Sequence, residues 1–191
     1  MAQISIGNYR VDIFTDSVSN YSENDNVHKY DFVYIHEDDY ECSTIIGIKI
    51  YENDAYENDV ILKSALIGAS GGATGVYKNS FVYELNKIII CCSDTVFCLS
   101  TPDLSLLWMT QADMACCFEI FKYKNDYIVH GELQVTRLGS GGNIIWQQSG
   151  ADIFTRLNSE KDDFLLTENY ILATDWDNRK YKFDFDGNII S

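Results

Sequence analysis

Short runs rich in Tyr, Phe, Ile and Val recur along the chain, separated by turn residues. They predict strands over Tyr30–His36, Thr44–Tyr51, Ser80–Glu84, Lys87–Cys92, Val96–Leu99 and Phe118–Tyr123. Further strands are predicted over Tyr127–Gly131, Gln134–Leu138, Ile144–Gln148, Phe164–Thr167, Tyr170–Thr174 and Lys180–Phe185. The separators include Ser93-Asp94, Pro102-Asp103, Asn125-Asp126, Ser140-Gly141-Gly142-Asn143 and Asp186-Gly187-Asn188. Gly, Asn and Asp supply the positive φ that tight hairpins need. No stretch carries a helical period capped at both ends. Residues 113–121 could form one or two helical turns, and their second half reads as strand. The expected fold is therefore all-β, with antiparallel meanders joined by short turns.

A weak repeat gives this pattern an architecture. Lys87–Asp113 reads as two strands, a turn, then Leu106-Leu107-Trp108 and an Ala112-Asp113 pair. Asp126–Asp152 repeats it, with Val135–Leu138, a glycine turn, Ile144-Ile145-Trp146 and Ala151-Asp152. A third copy runs from Tyr170 to Ser191, and its Gly187-Asn188-Ile189-Ile190 matches Gly142-Asn143-Ile144-Ile145 letter for letter. The spacing is that of a four-stranded propeller blade, about 40–50 residues. The segment Leu138-Gly139-Ser140-Gly141-Gly142-Asn143-Ile144-Ile145-Trp146 resembles the quinoprotein-type (PQQ-like) propeller repeat over residues 80–191. The resemblance implies blades but carries no cofactor chemistry, since no metal-and-quinone constellation is visible. With room for about four blades, the expectation is a small or incomplete β-propeller-like array. It forms a single domain over 1–191, with an acidic, irregular part at 1–75 and blade-like repeats at 76–191. Ser70-Gly71-Gly72-Ala73-Thr74-Gly75 marks the join.

Charge adds a direction. The 191 residues carry a net charge of -15. Residues 1–60 hold 13 acids against 3 bases, whereas residues 61–150 hold 7 against 6. Such a balance argues against nucleic acid and against anionic membrane surfaces, both of which need a basic face. It suits a basic protein partner, captured by electrostatic steering. With 46% hydrophobic residues, the acidity does not mean disorder. The start of the chain lacks the basic and apolar regions of a secretory signal, so the expected location is the cytoplasm. Six cysteines, among them the vicinal pairs Cys91-Cys92 and Cys116-Cys117, read as buried free thiols.

Candidate chemistry is sparse. His130 and Glu132 share a strand face and could form a catalytic pair. His36 beside Glu37, Asp38 and Asp39 could begin a metal site, although a solvated loop is the plainer reading. Asp184–Asn188 resembles a calcium loop slightly and a hairpin turn better. Ser70–Gly75 lacks the Lys of a phosphate loop. The candidate partner-binding residues are Glu37, Asp38, Asp39 and Glu41, together with Asp175, Trp176 and Asp177, where an aromatic anchor stands between acids. No metal, cofactor or catalytic set is expected. The favoured function is non-catalytic protein binding, as in a bacterial immunity-type protein that neutralises a basic toxin. The alternatives are an enzyme or carbohydrate-binding protein using the propeller face near His130, Glu132 and Asp175, and a scaffold built on open strand edges.

Overall fold

The computed structural model describes residues 1–16, 30–35, 41–52, 60–155 and 163–191. Those residues form sixteen strands and no helix; hence none of them forms a helix long and apolar enough to cross a membrane. The first sheet contains β1 (Ala2–Ile6), β2 (Tyr9–Thr15), β3 (Phe32–Ile35), β4 (Thr44–Glu52) and β5 (Ile61–Ala69), in the order β1-β2-β4-β5-β3. The second is the meander β6 (Phe81–Glu84), β7 (Lys87–Cys92), β8 (Thr95–Ser100) and β9 (Leu106–Gln111). The third repeats it with β10 (Cys117–Tyr123), β11 (Asp126–Gly131), β12 (Gln134–Leu138) and β13 (Ile144–Ser149). The fourth holds β14 (Phe164–Leu166), β15 (Ile171–Thr174) and β16 (Lys180–Phe183), and Ile189 bridges Phe183 on its outer side. Pairing is antiparallel except between β3 and β5.

The expected all-β, propeller-like array is present. The described residues before 75 are not irregular, however: they supply the five-stranded sheet. Residues 113–121 contain no helix, and β10 begins at Cys117.

The sheets stack face to face, and the alternation of side chains along each strand decides which interface a residue serves. On β7, Ile88, Ile90 and Cys92 enter the core between the first and second sheets. Ile89 and Cys91, one step out of phase, enter the core between the second and third. The two sulfurs of this vicinal pair thus lie on opposite faces, and all six cysteines are buried free thiols. Ile128, Phe154, Phe164, Ile171 and Phe183 fill the next core, between the third and fourth sheets. Central strands are buried on both faces, so their sequences are continuous apolar runs rather than alternations. Among the described residues, no core cluster joins the fourth sheet to the first.

The repeated Trp and Gly positions explain how successive sheets lock. Gly142 and Gly187 occupy turns with φ of 85° and 86°. A Cβ on Gly142 would stand 2.6 Å from the Trp108 ring, and one on Gly187 would stand 2.8 Å from the Trp146 ring. Each indole N–H donates to a carbonyl of the same neighbouring turn: Trp108 to Ser140 at 3.2 Å, and Trp146 to Phe185 at 2.9 Å. The tryptophan of one sheet is therefore laid on the glycine turn of the next. The matching position in the second sheet is Leu104, also at positive φ (58°). There the neighbour is not a tryptophan but Tyr34 of β3, whose hydroxyl donates to Leu104 O at 3.0 Å and accepts from Leu106 N at 3.2 Å.

At the other end of the strands, the chain linking two sheets is bonded on both sides. Cys117 N donates to Ser93 O and Cys116 O accepts from Glu132 N. Phe154 N likewise donates to Glu132 O, and Ile153 O accepts from Trp176 N. These are the same two bonds, one repeat later.

Gly142→Ala should destabilise the protein by about 2 kcal/mol or more, because it adds positive-φ strain and displaces the indole. Gly75→Ala, with no atom within 4 Å of the added carbon, should stay within about 0.5 kcal/mol of the parent in denaturant unfolding.

Candidate functional site

The turn from β15 to β16 carries the predicted Asp175-Trp176-Asp177 trio and treats its members differently. Asp175 is 0% exposed. Its carboxylate accepts Arg179 N at 2.8 Å, the Tyr181 hydroxyl at 2.9 Å and Arg179 Nη1 at 3.2 Å. Burial pulls its pKa up, but these three donors outweigh burial and hold it below the usual carboxylate value. Tyr181 in turn accepts Ala151 N at 2.9 Å, which ties the turn to the linker from the third sheet. Asp175 is thus part of the frame. The residues presented outward are Trp176, 41% exposed, and Asp177, gripped by Arg179 Nη2 at 2.6 Å. Glu41 is exposed. Glu37, Asp38 and Asp39 lie outside the described residues, as do His28 and His36.

His130 is not paired with Glu132. Its ring Nδ1 lies 3.0 Å from Glu119 Oε2 and its Nε2 lies 2.9 Å from Phe154 O. Glu119 faces His130 directly across the β10–β11 ladder, whereas Glu132 lies beyond the end of β11. A residue directly opposite on the neighbouring strand sits closer than one two positions along the same strand. Phe164 stacks on the imidazole at 4.5 Å between centroids, and Phe118 meets it edge-on. Both ring nitrogens are engaged, and the residue is only 6% exposed. Burial raises the Glu119 pKa, but His130 and the Asn79 amide, donating at 2.9 Å, lower it more, and the net direction is down. Finding Glu119 from the sequence would have required placing the turn one residue earlier. The turn is Lys124-Asn125, which sets Glu119 opposite His130, whereas the separator read from the sequence, Asn125-Asp126, would set Phe121 there.

The two Ala-Asp pairs also diverge. Asp113 is buried, and its carboxylate accepts four backbone N–H groups: Ala115 at 2.7 Å, Cys116 at 3.1 Å, Leu133 at 2.9 Å and Gln134 at 2.7 Å. It fastens the linker before β10 to the turn between β11 and β12. Burial still pushes its pKa up against those donors. Asp152 is exposed and bonds only the next amide, Ile153 N at 2.8 Å. The Asp184 carboxylate is taken up by its own turn, accepting Asp186 N, Asn188 N and the Asn188 amide. This is the hairpin arrangement rather than a calcium loop. Among the described residues, no group of three His, Cys, Asp or Glu could hold a metal ion.

Asp113→Asn should cost about 2–4 kcal/mol in chemical denaturation, because a side-chain amide leaves buried N–H donors unpaired. Asp152→Asn should change stability by less than about 0.5 kcal/mol. Glu119 has a folded-state pKa below its unfolded one. Its contribution is therefore present above the unfolded value, about 4.3, and is lost as pH falls through the folded value. Glu119→Gln should lower stability at pH 7, and unfolding curves should show its deficit shrinking from about pH 5 downward.

No protein-family model and no curated protein matches the sequence. Among solved structures, the chain is similar to the computationally designed Ika8 protein. The TM-score is 0.51 at 11% identity, over 78% of this chain and 45% of that one. It is also similar to the computationally designed Ika4 protein, with a TM-score of 0.48 at 11% identity over 61% of this chain and 73% of that one. BamB from Moraxella catarrhalis gives a TM-score of 0.49 at 15% identity over 78% of this chain and 45% of that one. The chain spans less than half the length of Ika8 and of BamB. At 11% identity the likeness to Ika8 is one of fold alone, and it agrees with the stacked meanders of a propeller-like array.

Proposed function

We propose that this chain is a non-catalytic, cytoplasmic protein-binding module whose partner is basic, in the manner of an immunity protein occluding a toxin. The observation that carries this reading is the charge: -15 overall, with 13 acids against 3 bases in residues 1–60. A field of one sign raises the rate of encounter with an oppositely charged protein and repels polyanions. Trp176 supports it as an exposed aromatic on a turn made firm by Asp175, Arg179 and Tyr181. Beside it Asp177 contributes an acid, and Glu41 adds another exposed one. We also read the blades as quinoprotein-type repeats without the cofactor, on the strength of the Trp and Gly spacing. The propeller-face enzyme reading is less favoured, since both His130 nitrogens are engaged and Asp175 is inward.

The test is affinity capture from the native organism, followed by association kinetics with the captured protein. The expected partner is basic, and its association rate should fall about tenfold or more between 50 and 500 mM salt. The triple variant Glu37→Lys, Asp38→Lys, Asp39→Lys should slow association further, and Trp176→Ala should speed dissociation. An acidic partner, or a rate indifferent to salt, would overturn the proposal.

A further inference from the structure

Two exposed apolar side chains stand on turns of the same construction. Met114 follows the buried Asp113, and Trp176 follows the buried Asp175. Asp113 Oδ1 accepts Ala115 N and Cys116 N, which closes the turn directly beneath Met114. Asp175 Oδ1 accepts Arg179 N, and Asn178 N donates to Asp175 O, which closes the turn that holds Trp176. Met114 is 75% exposed and Trp176 is 41% exposed. Backbone bonds join the two turns in one frame. Glu132 N donates to Cys116 O, Phe154 N to Glu132 O, and Trp176 N to Ile153 O. The series runs from the linker that carries Met114, through the β11–β12 turn and the next linker, to Trp176. Both side chains therefore project from one end of the array. Packed sheets lie about 10 Å apart, so the two stand roughly 10–20 Å from each other.

That end is acidic. Asp152 and Asp177 are exposed there and Glu132 is half-buried. The start of β4 is at the same end, since Ser43 Oγ lies 3.2 Å from Ser93 Oγ of the β7–β8 turn, and this brings in the exposed Glu41. The described bases at this end are Lys78, Lys180 and Arg179, the last already committed to Asp175 at 3.2 Å and Asp177 at 2.6 Å. The chain also leaves the described residues here, at Asp16, Ile35 and Thr155. By sequence the segments 17–29, 36–40 and 156–162 carry 7 acids against 3 bases, so they do not reverse the sign. At the opposite end, exposed apolar residues such as Leu85 and Ile144 stand among mixed charges, with Lys122 paired to Glu84 and Arg137 to Asp126. Exposed apolar side chains and charge of one sign coincide at the Met114–Trp176 end.

We infer that this end of the array receives a basic amphipathic helix of the partner, with Met114 and Trp176 seated on its apolar face and the acids facing its lysines and arginines. The inference rests on the basic partner proposed above and specifies what part of it is gripped, and where. Ordering side chains and loops is a main cost of association. Here buried carboxylates have already fixed both turns, so that cost is small. Tryptophan is among the residues that most often anchor interfaces, and the unbranched, polarisable methionine adapts to irregular apolar surfaces. A helix carries an apolar stripe along one side, and at 1.5 Å per residue about 7–13 residues span the two anchors. An extended strand would need a free sheet edge, and the described strands end here in turns and linkers. An acidic helix would meet Asp152 and Asp177 with like charge.

The experiment is protein-observed NMR titration of the full chain with a helical Leu-Lys peptide of about 14 residues, roughly 21 Å long. A Lys-Ser peptide of the same length and charge is the comparison. The Leu-Lys peptide should shift resonances centred on Met114, Glu132, Asp152 and Trp176, with a dissociation constant of about 1–100 μM at low salt. The Lys-Ser peptide should bind about tenfold more weakly or worse. The double variant Met114→Ser, Trp176→Ser alters only exposed side chains; it should fold like the parent and lose about tenfold or more in affinity. Leu85→Asn, at the opposite end and at a positive φ that Asn tolerates, should stay within about twofold. Shifts centred elsewhere would overturn the inference, as would equal binding of the two peptides or a folded double variant that binds like the parent. A footprint elsewhere leaves the proposed function standing if the captured partner is basic and salt-sensitive, whereas an acidic captured partner overturns that function whatever the peptide does.

Discussion

Trp108 lies on Gly142 and Trp146 lies on Gly187, each indole N–H reaching a carbonyl of the turn it covers. The close approach requires a residue without a Cβ, and the turn requires positive φ, so glycine satisfies both demands at once. The contact links one sheet to the next rather than strands within a sheet. Every other inter-sheet feature depends on that spacing. The cores are filled by side chains whose alternation assumes a sheet on each side. The linker bonds at Cys116–Cys117 and Ile153–Phe154 close only when consecutive hairpin turns stand at the same level. Where the first sheet meets the second, Tyr34 takes over the role with its hydroxyl, and Leu104 tolerates positive φ in exchange for a fully buried side chain.

The buried carboxylates complete the arrangement. Asp113 and Asp175 sit where a linker meets a turn, and both are used up in fastening backbone. This separates the acids of the protein into two kinds. A few are internal fasteners, each matched to N–H, hydroxyl or guanidinium donors. Others, such as Asp177 and Glu41, are exposed and contribute to the field on which the proposed partner binding relies. Counting acids along the chain cannot separate the two kinds, because Asp175 and Asp177 look alike until the turn is folded.

How much could be read from the sequence follows from the same physics. Strands buried on both faces, such as β7, β8 and β11, are continuous apolar runs and were legible as strands. The Gly-Asn-Ile-Ile and Trp spacings were legible as a repeat, although not the reason for them, which is a contact between copies. The first sheet was the weakest point. β1 (AQISI) and β2 (YRVDIFT) alternate apolar and polar residues yet were not read as strands, and β5 mixes Ala, Ser and Gly with its apolar residues. His130 was found but given the wrong carboxylate, because position along one strand was weighed before register across two.

The central claim is that the third and fourth sheets are each held by the tryptophan of the sheet before. Native-state hydrogen exchange on Trp146→Ala tests this most directly. The account predicts a selective loss of protection at β15 and β16 amides, with β7 and β8 keeping theirs. Equal loss across all sheets, or unchanged protection in β15 and β16, would contradict it.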